Sequence, residues 1–244
     1  MRKFGLIGYP LSHSFSKNYF SEKFAKEQIE GCIYELYPLE NIEGLPDLLV
    51  NLGPELVGLN VTIPHKQAVI PYLDYLDEAA AEIGAVNTIH FSTLGTKGYN
   101  TDALGFDASL EQQLEEPVMR ALVLGTGGAS RAVQYVLKKR GIEYQLVSRQ
   151  KGLNTMSYEE INDELLQSST LIINTTPVGM YPDLNVCPPL NYESLGPEHT
   201  LYDLIYNPAQ TLFLARGEAR ACRTINGLDM LYRQAEASWT IWNS

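Results

Sequence analysis

Arg120-Ala121-Leu122-Val123-Leu124-Gly125-Thr126-Gly127-Gly128-Ala129-Ser130-Arg131-Ala132 is the stretch on which the fold turns. An apolar run passes directly into a glycine-rich turn and then into a helical pattern that sets Ala129, Ala132, Val133, Val136 and Leu137 on one face. Strand, turn and helix in that order open a dinucleotide-binding unit. The glycines let backbone pass close to a pyrophosphate, whose charge is held by the unpaired N–H groups and positive dipole at the helix start. Gly125, Gly127, Gly128 and Ala129 carry this reading, while Ser130 replaces the third glycine of the fingerprint. Lys138, Lys139, Arg140 and then Gly141 supply the charges and stop signal of a helix end. The rival reading is a tight turn that needs glycine only for its shape.

The next strand, Tyr144 to Val147, ends at Ser148-Arg149, about 20 residues beyond the turn, where NAD-specific domains place an acidic residue for the ribose hydroxyls. An arginine there stacks on adenine and pairs with a 2′-phosphate, so NADP is the expected cofactor, with a solvated surface arginine as the rival.

Outward from this unit, short apolar runs alternate with helical patterns, the signature of an α/β fold with mainly parallel strands. Strands are expected at Phe4–Gly8, Ile33–Leu39, Gly58–Ile63 and Ala85–Phe91, and helices at Gln67–Ala81 and Ala103–Leu114. The pattern pauses around Gly95-Thr96-Lys97-Gly98-Tyr99-Asn100-Thr101-Asp102, the candidate domain boundary. The last helical stretch, Leu228 to Trp242, is long enough to leave the dinucleotide unit and pack elsewhere. Two domains are therefore expected: residues 1–101 with 226–244 for substrate, and residues 102–225 as a Rossmann-like domain, with the active site in the cleft between them.

The chain has 244 residues, 45% apolar and 19% charged, an ordinary composition for a folded protein. Its net charge of -11 repels a nucleic-acid backbone, and no run of Lys and Arg overcomes it locally. The basic start is followed by an apolar stretch too short and too broken by Gly5, Gly8 and Pro10 for a signal peptide, and no segment reaches the ~20 apolar residues of a membrane span. Cys32, Cys187 and Cys222 are odd in number and lack CxxC spacing, so neither a disulfide framework nor a metal site is expected, and a reducing cytoplasm fits.

Four polar clusters fall at strand ends or in loops, where a sheet delivers side chains to a site: Ser12-His13-Ser14-Phe15-Ser16, Asn60-Val61-Thr62-Ile63-Pro64-His65-Lys66, Gly84-Ala85-Val86-Asn87-Thr88 and Asn100-Thr101-Asp102. Hydroxyls and amides both donate and accept, which suits a polyhydroxylated substrate. Lys66 and Asp102 add a proton donor and its partner. Lys66 also reads as a solvated residue in the first turn of a helix, Asp102 as the N-cap of the helix beginning near Ala103, and Ser14 and Ser16 as helix-start residues. His13 and His65 read as ordinary polar neighbours.

These clusters, with Gly8-Tyr9-Pro10-Leu11, Ala103-Leu104-Gly105, the glycine turn, Asn174-Thr175-Thr176-Pro177-Val178-Gly179-Met180 and Asn226-Gly227-Leu228-Asp229-Met230-Leu231, occur in an order that resembles the shikimate dehydrogenase family over nearly the whole chain. The resemblance implies NADP-dependent, reversible reduction of 3-dehydroshikimate to shikimate, a step of chorismate and aromatic amino acid biosynthesis, by a cytoplasmic monomer or homodimer. It implies that Ser14 and Ser16 bind the substrate carboxylate, Thr62, Asn87 and Gln234 its hydroxyls, and that Lys66 and Asp102 work as a coupled pair at the reacting carbon. Tyr206, in Asp203-Leu204-Ile205-Tyr206-Asn207-Pro208, would help close the site. Asn174, Thr175, Thr176 and Gly227 would join the glycine turn, Ser148 and Arg149 in holding the cofactor. Lys17 stands where the family usually has proline, which would either shift the helix start or add a positive charge facing the substrate anion, and Asp229 replaces a usual glycine. The rival readings are a quinate or aminoshikimate dehydrogenase and a non-catalytic sensor of the same fold.

Overall fold

Short apolar runs closed by turn residues become the strands on which the chain is laid. The computed structural model describes residues 1–11, 14–114 and 118–244, so Ser12 and His13 of the first polar cluster lie outside the described residues. The chain divides into two compact units, Met1–Thr101 with Ala235–Ser244, and Asp102–Gln234.

The first unit runs β1 (Arg2–Gly8), α1 (Ser16–Lys26), β2 (Cys32–Pro38), α2 (Leu45–Leu52), β3 (Leu56–Val61), β4 (Tyr75–Leu76), α3 (Glu78–Ile83), β5 (Thr88–Ser92) and β6 (Gly95–Tyr99). Its sheet has the order β2-β1-β3-β5-β6-β4. β1 is parallel to β2 and β3, while β5 is antiparallel to β3 and β6. One apolar cluster gathers Ile7, Leu45, Leu59, Val61, Val86 and Ile89. Another gathers Phe4, Phe20, Phe24, Tyr34 and Trp242, with the Phe20 and Tyr34 rings stacked at 4.5 Å.

Two expectations fail here. Gln67–Ala81 is not a helix: Pro71 removes an N–H donor and disfavours the helical region for the residue before it. The chain instead makes a short 3-10 turn at Ile70–Tyr72, then β4, and turns helical only after Asp77, whose carboxylate accepts from the Ala79 N–H at 3.2 Å. Lys66 accordingly sits in a turn, not in a helix's first turn. The pause at Gly95–Gly98 is also a strand, β6, paired with β5 in the register Phe91↔Thr96 and Ile89↔Gly98. Its glycines mask a period-2 pattern that the backbone ladder nevertheless makes, and the sheet is mixed rather than parallel throughout.

The second unit continues with α4 (Thr101–Gln113), β7 (Arg120–Leu124), α5 (Gly128–Lys139), β8 (Glu143–Ser148), β9 (Thr155–Ser157), α6 (Asp163–Ser168), β10 (Leu171–Asn174), β11 (Thr200–Asp203), α7 (Leu212–Glu218), β12 (Arg223–Ile225) and α8 (Leu228–Trp242). Every pairing in its sheet, β12-β11-β10-β7-β8-β9, is parallel. Ala121 to Leu124 and Leu171 to Ile173 are wholly buried, as parallel strands covered on both faces require. The chain goes from β7 to β8 and β9 on one side and returns to β10, β11 and β12 on the other, so the strand order reverses between β7 and β10. That reversal is a topological switch point, where ligands bind at the carboxyl ends of the strands. The passage from one unit to the other falls inside α8, between Gln234 and Ala235, rather than at Asn226. No helix among the described residues is long and apolar enough to cross a membrane.

Gly58, in β3, lies where a Cβ would come within 2.1 Å of the Trp242 indole nitrogen. That nitrogen donates to the Ile89 carbonyl at 3.0 Å, so the ring cannot retreat without breaking a buried hydrogen bond. Gly58→Ala is therefore expected to lower stability by about 1–3 kcal/mol through overpacking. Denaturant unfolding followed by tryptophan fluorescence measures it, and a wild-type midpoint would refute the contact.

Candidate functional site

In the first unit the polar clusters converge on the carboxyl ends of β1 and β3, which are neighbouring parallel strands. Ser14 and Ser16 follow β1, and Ser14 Oγ accepts from the Ser16 N–H at 3.3 Å as α1 begins. Thr62 follows β3, and its N–H donates to the Ile7 carbonyl of β1 at 2.9 Å. Asn87 precedes β5 and meets the same end of the sheet, its carbonyl accepting from the Val61 N–H at 2.8 Å. The half-buried Lys66 is held in the turn beyond β3 by its own carbonyl, which accepts from the Val86 N–H at 2.7 Å. Ser14, Ser16, Thr62, Lys66 and Asn87 thus share one end of one sheet. His65 is buried and donates through Nε2 to the Leu39 carbonyl at 2.6 Å, a structural role.

A buried polar network lies beneath them. Asn60 Oδ1 accepts from the Tyr34 hydroxyl at 2.8 Å, and its Nδ2 reaches Ser238 Oγ at 3.0 Å and Thr88 Oγ1 at 3.1 Å. Asn87 Oδ1 accepts from the Thr101 N–H at 2.7 Å and from the Thr101 hydroxyl at 3.1 Å, which fixes the direction of its amide. Tyr34 and Ser238 were not singled out from sequence. Ser238 had a readable signal: it interrupts the apolar stripe Leu231, Ala235, Trp242 on α8. Burial pushes the Tyr34 phenol well above its ordinary range, so it stays a neutral donor.

Lys17 lies in the first turn of α1. Its ammonium pairs with Glu35 on β2, which offsets the charge it would add near Ser14 and Ser16. Asp229 is likewise matched, accepting from Arg233 Nε at 2.7 Å within α8.

In the second unit the glycine turn sits at the switch point. Gly125 N–H donates to the Val147 carbonyl at 2.8 Å on one side, and Thr175, following β10, donates to the Leu124 carbonyl through its N–H at 2.9 Å and its hydroxyl at 2.7 Å on the other. Gly125 has φ +109°, and a Cβ on it would come within 2.7 Å of Thr175 Oγ1 and 2.9 Å of Thr176 Cγ2. Gly127 is the N-cap of α5, with no side chain to occupy the orphan N–H groups of Gly128, Ala129 and their neighbours. The buried Ser130 donates to the Gly125 carbonyl at 2.7 Å, so the residue that spoils the glycine fingerprint clasps the turn. Backbone amides gathered at an uncapped helix start, with space kept open by glycine, fit a pyrophosphate.

Ser148 and Arg149 end β8. Ser148 donates to the Gln150 carbonyl at 2.6 Å, and Arg149 is exposed. Asn174 Oδ1 accepts from the Thr176 N–H at 3.1 Å and hydroxyl at 2.6 Å, which curls the loop after β10. Gly227 packs where a Cβ would fall 2.1 Å from the Leu204 carbonyl, a sufficient reason for glycine apart from any ligand. Asp102 is buried inside the first turn of α4, so it is not the N-cap. Tyr206 is half-buried, with its phenol raised by burial, and Gln234 donates to the Leu231 carbonyl at 2.9 Å. Asp203, at the end of β11, is wholly buried and lifted to about 6 by that burial.

A parallel sheet with a glycine turn at its switch point, joined in one chain to an α/β unit that presents hydroxyls, amides and a lysine, defines the class of nucleotide-dependent α/β oxidoreductases. Comparison with known proteins narrows it. Residues 6–89 match the model of the shikimate dehydrogenase substrate binding domain. The shikimate dehydrogenase (NADP(+)) of Clostridium beijerinckii is 40% identical over 256 residues, covering 99% of this chain and 92% of that protein. That of Methanosphaera stadtmanae is 34% identical over 257 residues, covering 98% and 90%. The crystal structure of shikimate 5-dehydrogenase from Thermus thermophilus in complex with NADP(H) and shikimate superposes with a TM-score of 0.86 at 31% identity, covering 99% and 93%. The chain belongs to the shikimate dehydrogenase family.

Gly125→Ala places a methyl group against Thr175 and strains a positive-φ residue by about 1–3 kcal/mol. NADP+ affinity, measured by fluorescence titration, is expected to fall about tenfold or more while the far-UV circular dichroism stays that of the wild type. Undiminished affinity would show that the turn does not take the nucleotide.

Proposed function

We propose that this chain catalyses the reversible, NADPH-dependent reduction of 3-dehydroshikimate to shikimate, a step toward chorismate and the aromatic amino acids. The observation that carries the reading is near full-length similarity to NADP-dependent shikimate dehydrogenases in a chain that keeps Lys66 and Asp102. Ser14 and Ser16 bind the substrate carboxylate, and Thr62, Asn87 and Gln234 its hydroxyls, with Tyr206 helping to close the site. Gly125, Gly127, Gly128, Ala129, Asn174, Thr175, Thr176 and Gly227 hold the nucleotide, and Ser148 and Arg149 its 2′-phosphate. When bound, the nicotinamide supplies or accepts the hydride.

Reduction of a ketone leaves charge on its oxygen, which must be stabilised and protonated as it appears. In this reading Lys66 donates that proton and Asp102 orients it and accepts a substrate hydroxyl. A sensor of the same fold would need neither. Preference for NADP follows from the end of β8, where Ser148-Arg149 offers a 2′-phosphate a cation in place of a ribose-binding carboxylate. The proposal includes a cytoplasmic location, to which three free cysteines are suited, and a monomer or homodimer.

Initial-rate spectrophotometry crossing shikimate and quinate against NADP and NAD tests it. Turnover is expected to favour shikimate with NADP. Quinate or NAD preference would move the chain to a sister activity, and no turnover with any pair would favour the sensor. Lys66→Ala and Asp102→Asn are expected to lower kcat by about a hundredfold or more with little change in melting temperature. Near-normal kcat in both would remove them from the chemistry.

A further inference from the structure

The proposed chemistry gives Asp203 no part, yet its carboxylate has a specific set of partners within the second unit. Oδ1 accepts from Asn174 Nδ2 at 3.0 Å and from the Ile205 N–H at 3.0 Å, and Oδ2 accepts from the Thr211 hydroxyl at 2.6 Å. These partners come from the end of β10, the loop after β11 and the N-cap of α7. Each presents a hydrogen to Asp203, so the site asks for an acceptor on both oxygens, which a carboxylate is and a side-chain amide is not.

The consequence runs through Asn174. With Nδ2 drawn to Asp203, its oxygen must face Thr176, where it accepts from both the N–H and the hydroxyl. A flipped amide would set oxygen against carboxylate and leave both Thr176 donors facing an NH2 group. Thr176 Oγ1 in turn accepts from the Val178 N–H at 3.2 Å, and the Asn174 amide also reaches the Val178 carbonyl at 3.3 Å. One carboxylate thereby sets the direction of the Asn174 amide and, through it, of the Thr176 hydroxyl. Thr175, between the two oriented residues, makes both of its bonds to Leu124 beside the glycine turn.

We propose that Asp203 is a positioning residue for the nucleotide: by fixing the Asn174 amide it holds the Asn174–Thr176 loop against the glycine turn in the shape that receives NADP. This rests on the reading of that loop as part of the cofactor site. Strand β11 has its own backbone ladders to β10 and β12, so the sheet does not need this carboxylate for its register.

Dissociation constants for NADP+ and steady-state constants for both substrates would be measured on the full chain and on its variants. Asp203→Asn is expected to raise Kd and KM for NADP+ about tenfold, while kcat and KM for shikimate stay within about twofold. Thr211→Val should raise the NADP+ constants about threefold and Thr211→Ser should restore them, a pair that decides the matter even if Asp203→Asn does not fold. Folded Asp203→Asn binding NADP+ like the wild type overturns the proposal. So does equal weakening toward both substrates with Thr211→Ser no better than Thr211→Val, the mark of a merely structural role. A wild-type chain that turns over shikimate but binds NADP+ without any contribution from Thr176, shown by unchanged Kd in Thr176→Val, overturns it while leaving the activity standing. A wild-type chain that binds no NADP+ overturns both.

Discussion

The carbonyl of Leu124, the last residue of β7, accepts two hydrogen bonds from Thr175, and the second unit is organised around that junction. At the carboxyl end of a parallel strand the ladder stops, and buried carbonyls must find other donors or carry a desolvation penalty. Here the donors come from the strand on the far side of the switch point, while the adjoining Gly125 N–H is taken by β8. The turn is gripped from both flanks and can make so close an approach only without a side chain. A space shaped for a pyrophosphate is in this sense a by-product of satisfying backbone groups where strand order reverses.

The first unit meets the same requirement with side chains. Asn60 is buried at the end of β3; its oxygen accepts from Tyr34, and its two amide hydrogens face three acceptors, Ser238, Thr88 and the Asn87 carbonyl, the last at 3.3 Å. A network this enclosed allows few arrangements, because any rotation leaves a donor unmet in a poorly solvated interior. Asn87, in the cluster above it, is tied into this network through its carbonyl and its side-chain oxygen. Ser238 adds the C-terminal helix to that network, so the far end of the chain helps to hold residues read from its beginning.

Legibility in the sequence followed how local each signal was. The strand, turn and helix from Arg120 to Lys139 could be read because apolar spacing, glycines and terminal charges agree within one short window. The helix expected at Gln67–Ala81 failed because apolar spacing was allowed to outweigh Pro71 and the capping carboxylate of Asp77. Strand β6 was missed because its pairing with β5 resides in backbone groups, and Gly95 and Gly98 have no side chains to mark it. Asp203 was opaque for another reason, since its partners lie on separate elements of the chain. Ser238 was detectable as a lone polar residue in an apolar stripe, but its role comes only from a distant partner, Asn60.

Charge shows the same division between what is local and what is not. A net charge of -11 opposes the approach of anionic ligands, so the lysines and arginines near the proposed sites matter only where their charge is not already used. Lys17 is matched by Glu35, and Lys151, just beyond Arg149, by Glu160. Among the described residues Arg131 and Arg149 have no carboxylate within ion-pair distance, and the start of α5 keeps its amides uncapped. The uncapped start of α5 and Arg149 at the end of β8 are therefore two sources of positive charge in the second unit. With Lys151 drawn to Glu160, Arg149 is left as the exposed cation at the end of β8, where the proposed cofactor site would meet a 2′-phosphate.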